Sequence, residues 1–448
     1  MSTPTLTRRQ VLRAGGTIAG LQVLAPIVLR AGSAWAGGNA DPATADRRRF
    51  VLIDLGGGND GLNTVVPLDG SIRDVYDKVR SSATNLARTS LQPLGATNGG
   101  EVGLNPYLPT VYSLWQADRV AVVQGVDYPS HNYSHFVSDD IWQSGEPGIA
   151  PDSGWLGRHL DRTGIGAGEI KGVGIGFDRL PLALRGMSKV GEEINLLSET
   201  QFIDGGQTGY QGKRHAAFAG YDAATEPVPH RYGQGCRDAV DLAVACTGLT
   251  AAQPGGLANQ LLTARLLLEQ NLGVEVVIVH VGGYDTHDLQ ASRHQALMTD
   301  LDQGIEAFWF GTRGGAAVTV GGNPIGPLPA TLADKTLMMT YSEFGRRIGD
   351  NASGTDHGAA APLFLIGPPQ PAAGSGATTL VPGLHGDHPN MGSVALPADN
   401  LAMTTDMRQV YEAVIESWIN DPNGPSPDGG DPLFAAAGGA LPGLFGTA

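Results

Sequence analysis

Short, continuous apolar runs alternate along this chain with segments whose apolar residues recur at helical spacing. The runs are Phe50–Leu55, Arg119–Val126, Ile170–Gly176, Val274–Val281, Leu337–Tyr341 and Leu363–Gly367. Rich in Val, Ile and Leu and bounded by Gly or Asp, they predict strands buried on both faces, as in a parallel sheet. The glycines of Ile170–Gly176 fit packing or bulge positions better than a phosphate loop. Between the runs lie predicted helices. Tyr107–Trp115 places Leu108, Val111, Tyr112 and Trp115 at helical spacing, and Leu257–Leu268 carries a series of core leucines. His294–Phe308 sets Leu297, Leu301, Ile305 and Phe308 on one face, and Met407–Ile419 does the same with Val410, Val414, Ile415 and Trp418. Two shorter helices are expected at His135–Gln143, with Ser134 placed to cap it, and at Gly154–Asp161. Strands alternating with helices imply an α/β fold of three layers, α/β/α, with a mainly parallel sheet. No internal repeat is apparent.

The pattern fails in two places. From about residue 181 to 250 the periodicity weakens into a Gly-rich, loop-rich stretch, expected to be an insertion or lid. At the N-terminus, Thr7-Arg8-Arg9-Gln10-Val11-Leu12-Arg13 precedes an apolar stretch from Ala14 to Leu29 and then Ala34-Trp35-Ala36. A twin-arginine flank, a short apolar core and a small-residue exit read as a signal peptide cleaved after Ala36, for export to the periplasm or beyond. The apolar stretch is short for a bilayer span and is weakened by Gly15, Gly16, Gly20 and Pro26, so the mature protein is expected to carry no stable membrane span. Residues 37–448 are then expected to form a single domain.

Charge and cysteine content narrow the possible partners. The formal charge of the 448 residues is −15, and the first 36 carry four arginines and no acid, so the mature chain stands near −19. Such a chain should repel nucleic acid and anionic membrane surfaces. Cys236 and Cys246 are the only cysteines; in an oxidising compartment a disulfide is the expected state.

The chemistry gathers where strands end. The first run exits into Gly56-Gly57-Gly58-Asn59-Asp60-Gly61-Leu62-Asn63, with Asp54 at its end. Neither a triphosphate loop nor a dinucleotide fingerprint is present, and either Asp54 or Asp60 could ligate a metal, although Asp60 before Gly61 also suits an Asx turn. The second run exits into Asp127-Tyr128-Pro129-Ser130-His131-Asn132-Tyr133-Ser134-His135. Here Ser134 can be a helix cap or a nucleophile, and His131 and His135 can be ligands, acid/base groups or scaffold. The fourth run exits into Asp285-Thr286-His287, and the fifth into Ser342-Glu343-Phe344-Gly345-Arg346-Arg347 and then Gly354-Thr355-Asp356-His357-Gly358. His385, Asp387 and His388 follow in a Pro/Gly-rich stretch. Ligands of open α/β sheets bind beyond the carboxyl ends of strands, so these loops predict one shared metal site.

The motifs Gly57-Gly58-Asn59-Asp60-Gly61, Ser134-His135-Phe136, Gly154-Trp155-Leu156-Gly157-Arg158, Gly283-Tyr284-Asp285-Thr286-His287, Ser342-Glu343-Phe344-Gly345-Arg346 and Gly354-Thr355-Asp356-His357-Gly358 resemble the series of the domain-of-unknown-function 1501 family. That family is grouped with the alkaline phosphatase and sulfatase superfamily. The resemblance implies an alkaline phosphatase-like fold holding one or two divalent metals. It implies metal ligands at Asp60 (or Asp54), Asp285, His287, Asp356, His357 and His388 (or His385), with Ser134 as nucleophile. Sulfatase chemistry is not implied, since nothing around Ser134 matches the formylglycine pattern.

An exported metal-dependent hydrolase or transferase of phosphate or related esters is therefore expected. Mixed Asp/His ligands suit Zn²⁺ or Mn²⁺. His131 and His135 would serve beside Ser134 in catalysis. Arg346 and Asn63 would bind a small-molecule or polymeric ester substrate, and Glu343 would support a ligating His. The alternative expectation is a non-catalytic cell-envelope binding or assembly protein with a structural or degraded metal site.

Overall fold

A computed structural model of the chain describes residues 27–31, 47–148, 151–163, 170–177, 180–187, 193–195, 256–269, 274–320, 323–391, 399–420 and 433–447. The twin-arginine motif, the expected cleavage site, both cysteines and most of the expected insertion lie outside the described residues.

Ten strands form the main sheet: β1 Ile27–Ala31, β2 Arg49–Leu55, β3 Val120–Asp127, β4 Ile170–Ile175, β5 Glu193–Asn195, β6 Val276–Val281, β7 Thr336–Tyr341, β8 Ala361–Ile366, β9 Gly383–His385 and β10 Thr405–Asp406. Their order is β9-β3-β8-β7-β2-β6-β4-β1-β5, with β10 also paired to β3. The centre, β7-β2-β6-β4, is parallel. Strand β8 runs antiparallel to both β7 and β3, so β3 points the same way as the central four. The carboxyl ends of β2, β3, β6 and β7 consequently share one edge. Strand β1 falls inside the segment read as the export signal and occupies an outer position, between β4 and β5.

Burial on both faces explains why these strands lack polar alternation. All seven residues of β2 are buried. Val51, Ile53 and Leu55 face one core, and Phe50 and Leu52 face the other, as the two-residue period of a strand requires. The first core is closed by helices α1 Gly70–Val79, α2 Pro109–Gln116, α5 Leu257–Glu269 and α6 Gln290–Phe310, through Tyr76, Val111, Leu261, Leu267, Leu301 and Phe308. The second is closed by α3 His135–Ser144, α4 Trp155–Thr163 and α7 Met407–Val414, through Trp142, Trp155, Leu160, Val410 and Val414. The three layers match the pattern of alternating elements. The terminal helix differs from a uniform Met407–Ile419 helix: its last turn, Ile415–Ile419, widens to π geometry. There Trp418 is buried, with its indole N–H donating to the Arg49 carbonyl at 2.9 Å. Among the described residues, no helix is long and apolar enough to cross a membrane.

Trp155 is fully buried, stacks on Tyr411 with centroids 4.2 Å apart, and meets Phe50 edge-on at 5.9 Å. Trp155→Ala should cost about 3–5 kcal/mol, read as a lower urea midpoint with unchanged slope.

Candidate metal centre

The loops leaving the carboxyl edge interlock. Gly57 and Gly58 have φ of 121° and 81°, a turn that side-chain-bearing residues avoid. A Cβ on Gly57 would lie 2.4 Å from the Asp285 amide nitrogen, so the β2 loop packs on the backbone of the β6 loop. Glu343, from the β7 loop, accepts from the Gly57 amide at 2.8 Å and the Gly58 amide at 3.1 Å. Arg346 pairs with His357 through an isolated antiparallel bridge, which returns Asp356 and His357 to the same edge.

On that edge, donor atoms of His135, Asp285 and His357 lie within 4.8 Å of one another. His357 Nε2 is 3.2 Å from Asp285 Oδ1, and His135 Nε2 is 3.6 Å from Oδ2. His287 joins them: its Nε2 is 3.0 Å from Asp285 Oδ1 and 3.0 Å from His357 Nε2. Each ring is held by its other nitrogen. His135 Nδ1 meets Glu343 Oε1 at 2.6 Å, His287 Nδ1 meets Asp356 Oδ1 at 3.1 Å, and His357 Nδ1 meets the Tyr133 carbonyl at 2.9 Å. A carbonyl only accepts, so His357 carries its proton on Nδ1; His135 and His287 each face carboxylates from both ring nitrogens, Glu343 or Asp356 at Nδ1 and Asp285 at Nε2. The three Nε2 atoms converge on one carboxylate. Those of His287 and His357 stand 3.0 Å apart, a contact satisfied by a proton on His287 or by a cation between the rings. Imidazoles anchored at one nitrogen and converging at the other are the usual form of a histidine metal site.

Electrostatics suit this use. Burial opposes ionisation of Asp285, but Arg346, bonded to its Oδ1 at 2.6 Å, outweighs burial and holds the carboxyl below its ordinary range. Burial lowers the pKa of His357, which favours the neutral ligand form. The Glu343 hydrogen bond raises that of His135, so a cation would have to displace a proton from this ring. The donors are part-exposed, with side-chain accessibilities of 34 % for His135, 46 % for Asp285, 43 % for His287 and 21 % for His357. Imidazole nitrogens beside a carboxylate are donor types that both Zn²⁺ and Mn²⁺ accept.

Several expected site residues lie elsewhere. Asp60 does not reach the group: its carboxylate is fully buried and paired with Arg80, 2.5 Å from Nη1 and 3.1 Å from Nη2. Burial alone would raise its pKa, but Arg80 reverses that and lowers it. Asp54 pairs with His280 at 2.7 Å. His388 is buried with Nδ1 at 2.8 Å from the Pro389 carbonyl, and His385 Nε2 lies 2.8 Å from the Val381 carbonyl. His135, expected to act beside the nucleophile, supplies the further imidazole instead. Arg346 is not open to substrate: its fully buried guanidinium donates to Gly57, Gly58, Tyr284 and Thr355 carbonyls and to Asp285. Asn63 is buried too, donating to the Thr84 carbonyl at 2.8 Å and accepting from Tyr76 Oη at 2.7 Å. Ser134 occupies the N-cap position of α3, but its side chain makes no capping bond. His131 Nδ1 lies 3.0 Å from Asp127, and its buried Nε2 has no hydrogen-bond partner. Asp356 contacts the site through His287, and Glu343 through His135. His280 escaped the sequence reading; its signal is the parallel register that sets it beside Asp54.

Fold and site together define a three-layer α/β protein with a His/Asp group able to hold a metal. A family model described as "Protein of unknown function (DUF1501)" matches residues 121–311, a span containing His131, Ser134, His135, Asp285 and His287. The match supports the resemblance carried by the motifs. No curated protein and no solved structure matches the chain.

Two predictions follow from the buried pairs. Arg80→Met leaves the Asp60 carboxylate buried without its counter-ion and should cost about 3–5 kcal/mol in chemical denaturation. Burial opposes charge on His280, but the Asp54 hydrogen bond outweighs it and lifts the imidazole to about 9. A raised folded-state pKa gives stability that is fully present below the unfolded value of about 6.5 and is lost as pH rises through about 9. The His280 ring should titrate near pH 9 by NMR, and Asp54→Asn should return it toward the ordinary imidazole range.

Proposed function

We propose that the protein is an exported metal-dependent hydrolase or transferase of phosphate or related esters, built on an alkaline phosphatase-like fold. The observation that carries the proposal is the convergence of three Nδ1-anchored imidazoles on Asp285. Position adds support, since the group lies at the carboxyl edge where α/β proteins bind ligands. The twin-arginine segment supports export.

In this proposal His135, Asp285, His287 and His357 hold the cation, Glu343 and Asp356 orient two of the rings, and Arg346 keeps Asp285 ionised. A bound divalent cation would supply Lewis acidity and favour a deprotonated nucleophile. Ser134 stands one residue before His135, with its hydroxyl not spent on capping α3; we assign it as the nucleophile. The amino end of α3 favours negative charge developing there. His131, oriented by Asp127 and with Nε2 unengaged, is assigned the proton transfer.

The test combines metal analysis with turnover on phosphate mono- and diesters. Chelation should remove both metal and activity, and Zn²⁺ or Mn²⁺ should restore them. His135→Ala and Asp285→Asn should lose metal, Ser134→Ala should lose turnover while keeping metal, and His131→Ala should slow turnover about 10²–10⁴-fold. A protein that binds no metal would sink the proposal. Metal binding without turnover on any ester would favour the envelope-binding alternative.

A further inference from the structure

Behind the candidate metal centre, one buried amide touches three loops. Gln290 is the first residue of α6 and is fully buried. Its Nε2 donates to Asp60 Oδ2. Its Oε1 accepts from Thr355 Oγ1 at 2.6 Å and Thr286 Oγ1 at 3.3 Å. The orientation of the amide is forced. Asp60, ionised against Arg80, only accepts, so the NH₂ must face it and the carbonyl oxygen must face the threonines. Thr286 lies between Asp285 and His287, and Thr355 immediately precedes Asp356 and His357. Both threonines are fully buried. The two loops also meet directly, with the Thr355 amide donating to the Thr286 carbonyl at 3.2 Å. The Gln290 amide nitrogen donates to the Ser353 carbonyl at 3.0 Å.

We propose that Gln290 is a positioning residue for the metal centre. Through the hydroxyls of Thr286 and Thr355 it holds the Asp285–His287 and Asp356–His357 loops at the separation where their ring nitrogens meet. Through Asp60 it ties both loops to the Arg80 ion pair beneath. Asp60 thereby serves the site from a distance, although it is not a ligand. The inference rests on the assignment of Asp285, His287 and His357 as ligands. Its physical basis is that the ligands sit on loops, whose spacing must be fixed by buried hydrogen bonds if donor atoms are to stay in register.

The experiment measures Zn²⁺ affinity of the chelator-treated full chain by competition with a chromophoric chelator, alongside the thermal midpoint of the metal-free protein. The Thr286→Val/Thr355→Val pair keeps side-chain volume and deletes both hydroxyls; the Thr286→Ser/Thr355→Ser pair restores them. The valine pair should lose about 10–100-fold in Zn²⁺ affinity, Gln290→Leu should fall similarly, and the serine pair should recover most of the loss. Should the double valine variant not fold, Thr355→Val alone, which deletes the shorter bond, carries the same expectation. A purely structural role would lower the thermal midpoint and leave Zn²⁺ affinity of the folded protein unchanged, and that result would overturn the proposal. Equal losses in the serine and valine pairs would overturn it too. A wild-type protein that binds no Zn²⁺ would overturn the metal-centre assignment and this proposal together, whereas tight wild-type binding with unaltered variants would overturn this proposal alone.

Discussion

The buried guanidinium of Arg346 is the contact on which the functional edge depends. Charge of this kind is tolerated away from water only when its donors are met, and here they are met by groups from separate strands: the Gly57 and Gly58 carbonyls after β2, the Tyr284 carbonyl and Asp285 carboxylate after β6, and the Thr355 carbonyl after β7. Satisfying one side chain thus brings the β2, β6 and β7 loops to a common centre. The same contact keeps Asp285 ionised. Because this geometry uses all three guanidinium nitrogens, a flexible ammonium in place of the planar guanidinium could not reproduce it.

Around this centre the loops carry polar groups in two shells of opposite character. Outward, the imidazoles are held by Glu343, Asp356 and the Tyr133 carbonyl, and present their Nε2 atoms to Asp285. Inward, Asp60, Arg80, Gln290, Thr286 and Thr355 form a dry network in which donors meet acceptors. The inner network is self-satisfied and needs no further group. The outer one is part-exposed, and its Nε2 atoms face the Asp285 carboxylate at 3.0–3.6 Å. That contrast makes the exposed side the candidate place for a cation.

The layer architecture was legible because each run feeds two cores. Phe50–Leu55 and Leu337–Tyr341 show no polar alternation for that reason, and the intervening helices show one apolar face each. Asp285, His287 and His357 were legible as members of the candidate group because they follow buried strands in Gly-bearing loops. Asp60 follows the same rule and still lies outside the group. Its partner Arg80 comes at the end of α1, and no local pattern links the two. His135 and Ser134 were read together as catalytic groups, yet the α3 entry point turns the imidazole toward Asp285. His388 lies in a Pro/Gly-rich stretch where the carbonyl of Pro389 engages its ring, a contact with no sequence signature.

By itself, then, the sequence determined the central strands, most of the flanking helices, the edge where chemistry gathers and most of the residue types gathered there. These are consequences of local periodicity and of glycine placement, which act over a few neighbouring positions. Only the tertiary structure decided which carboxylate faces solvent and which is locked to an arginine, which nitrogen of each histidine is committed, and that Asp54 stands beside His280. Those outcomes depend on contacts between residues from 20 to 226 positions apart and on strand register, where a shift of one residue exchanges one face of the sheet for the other.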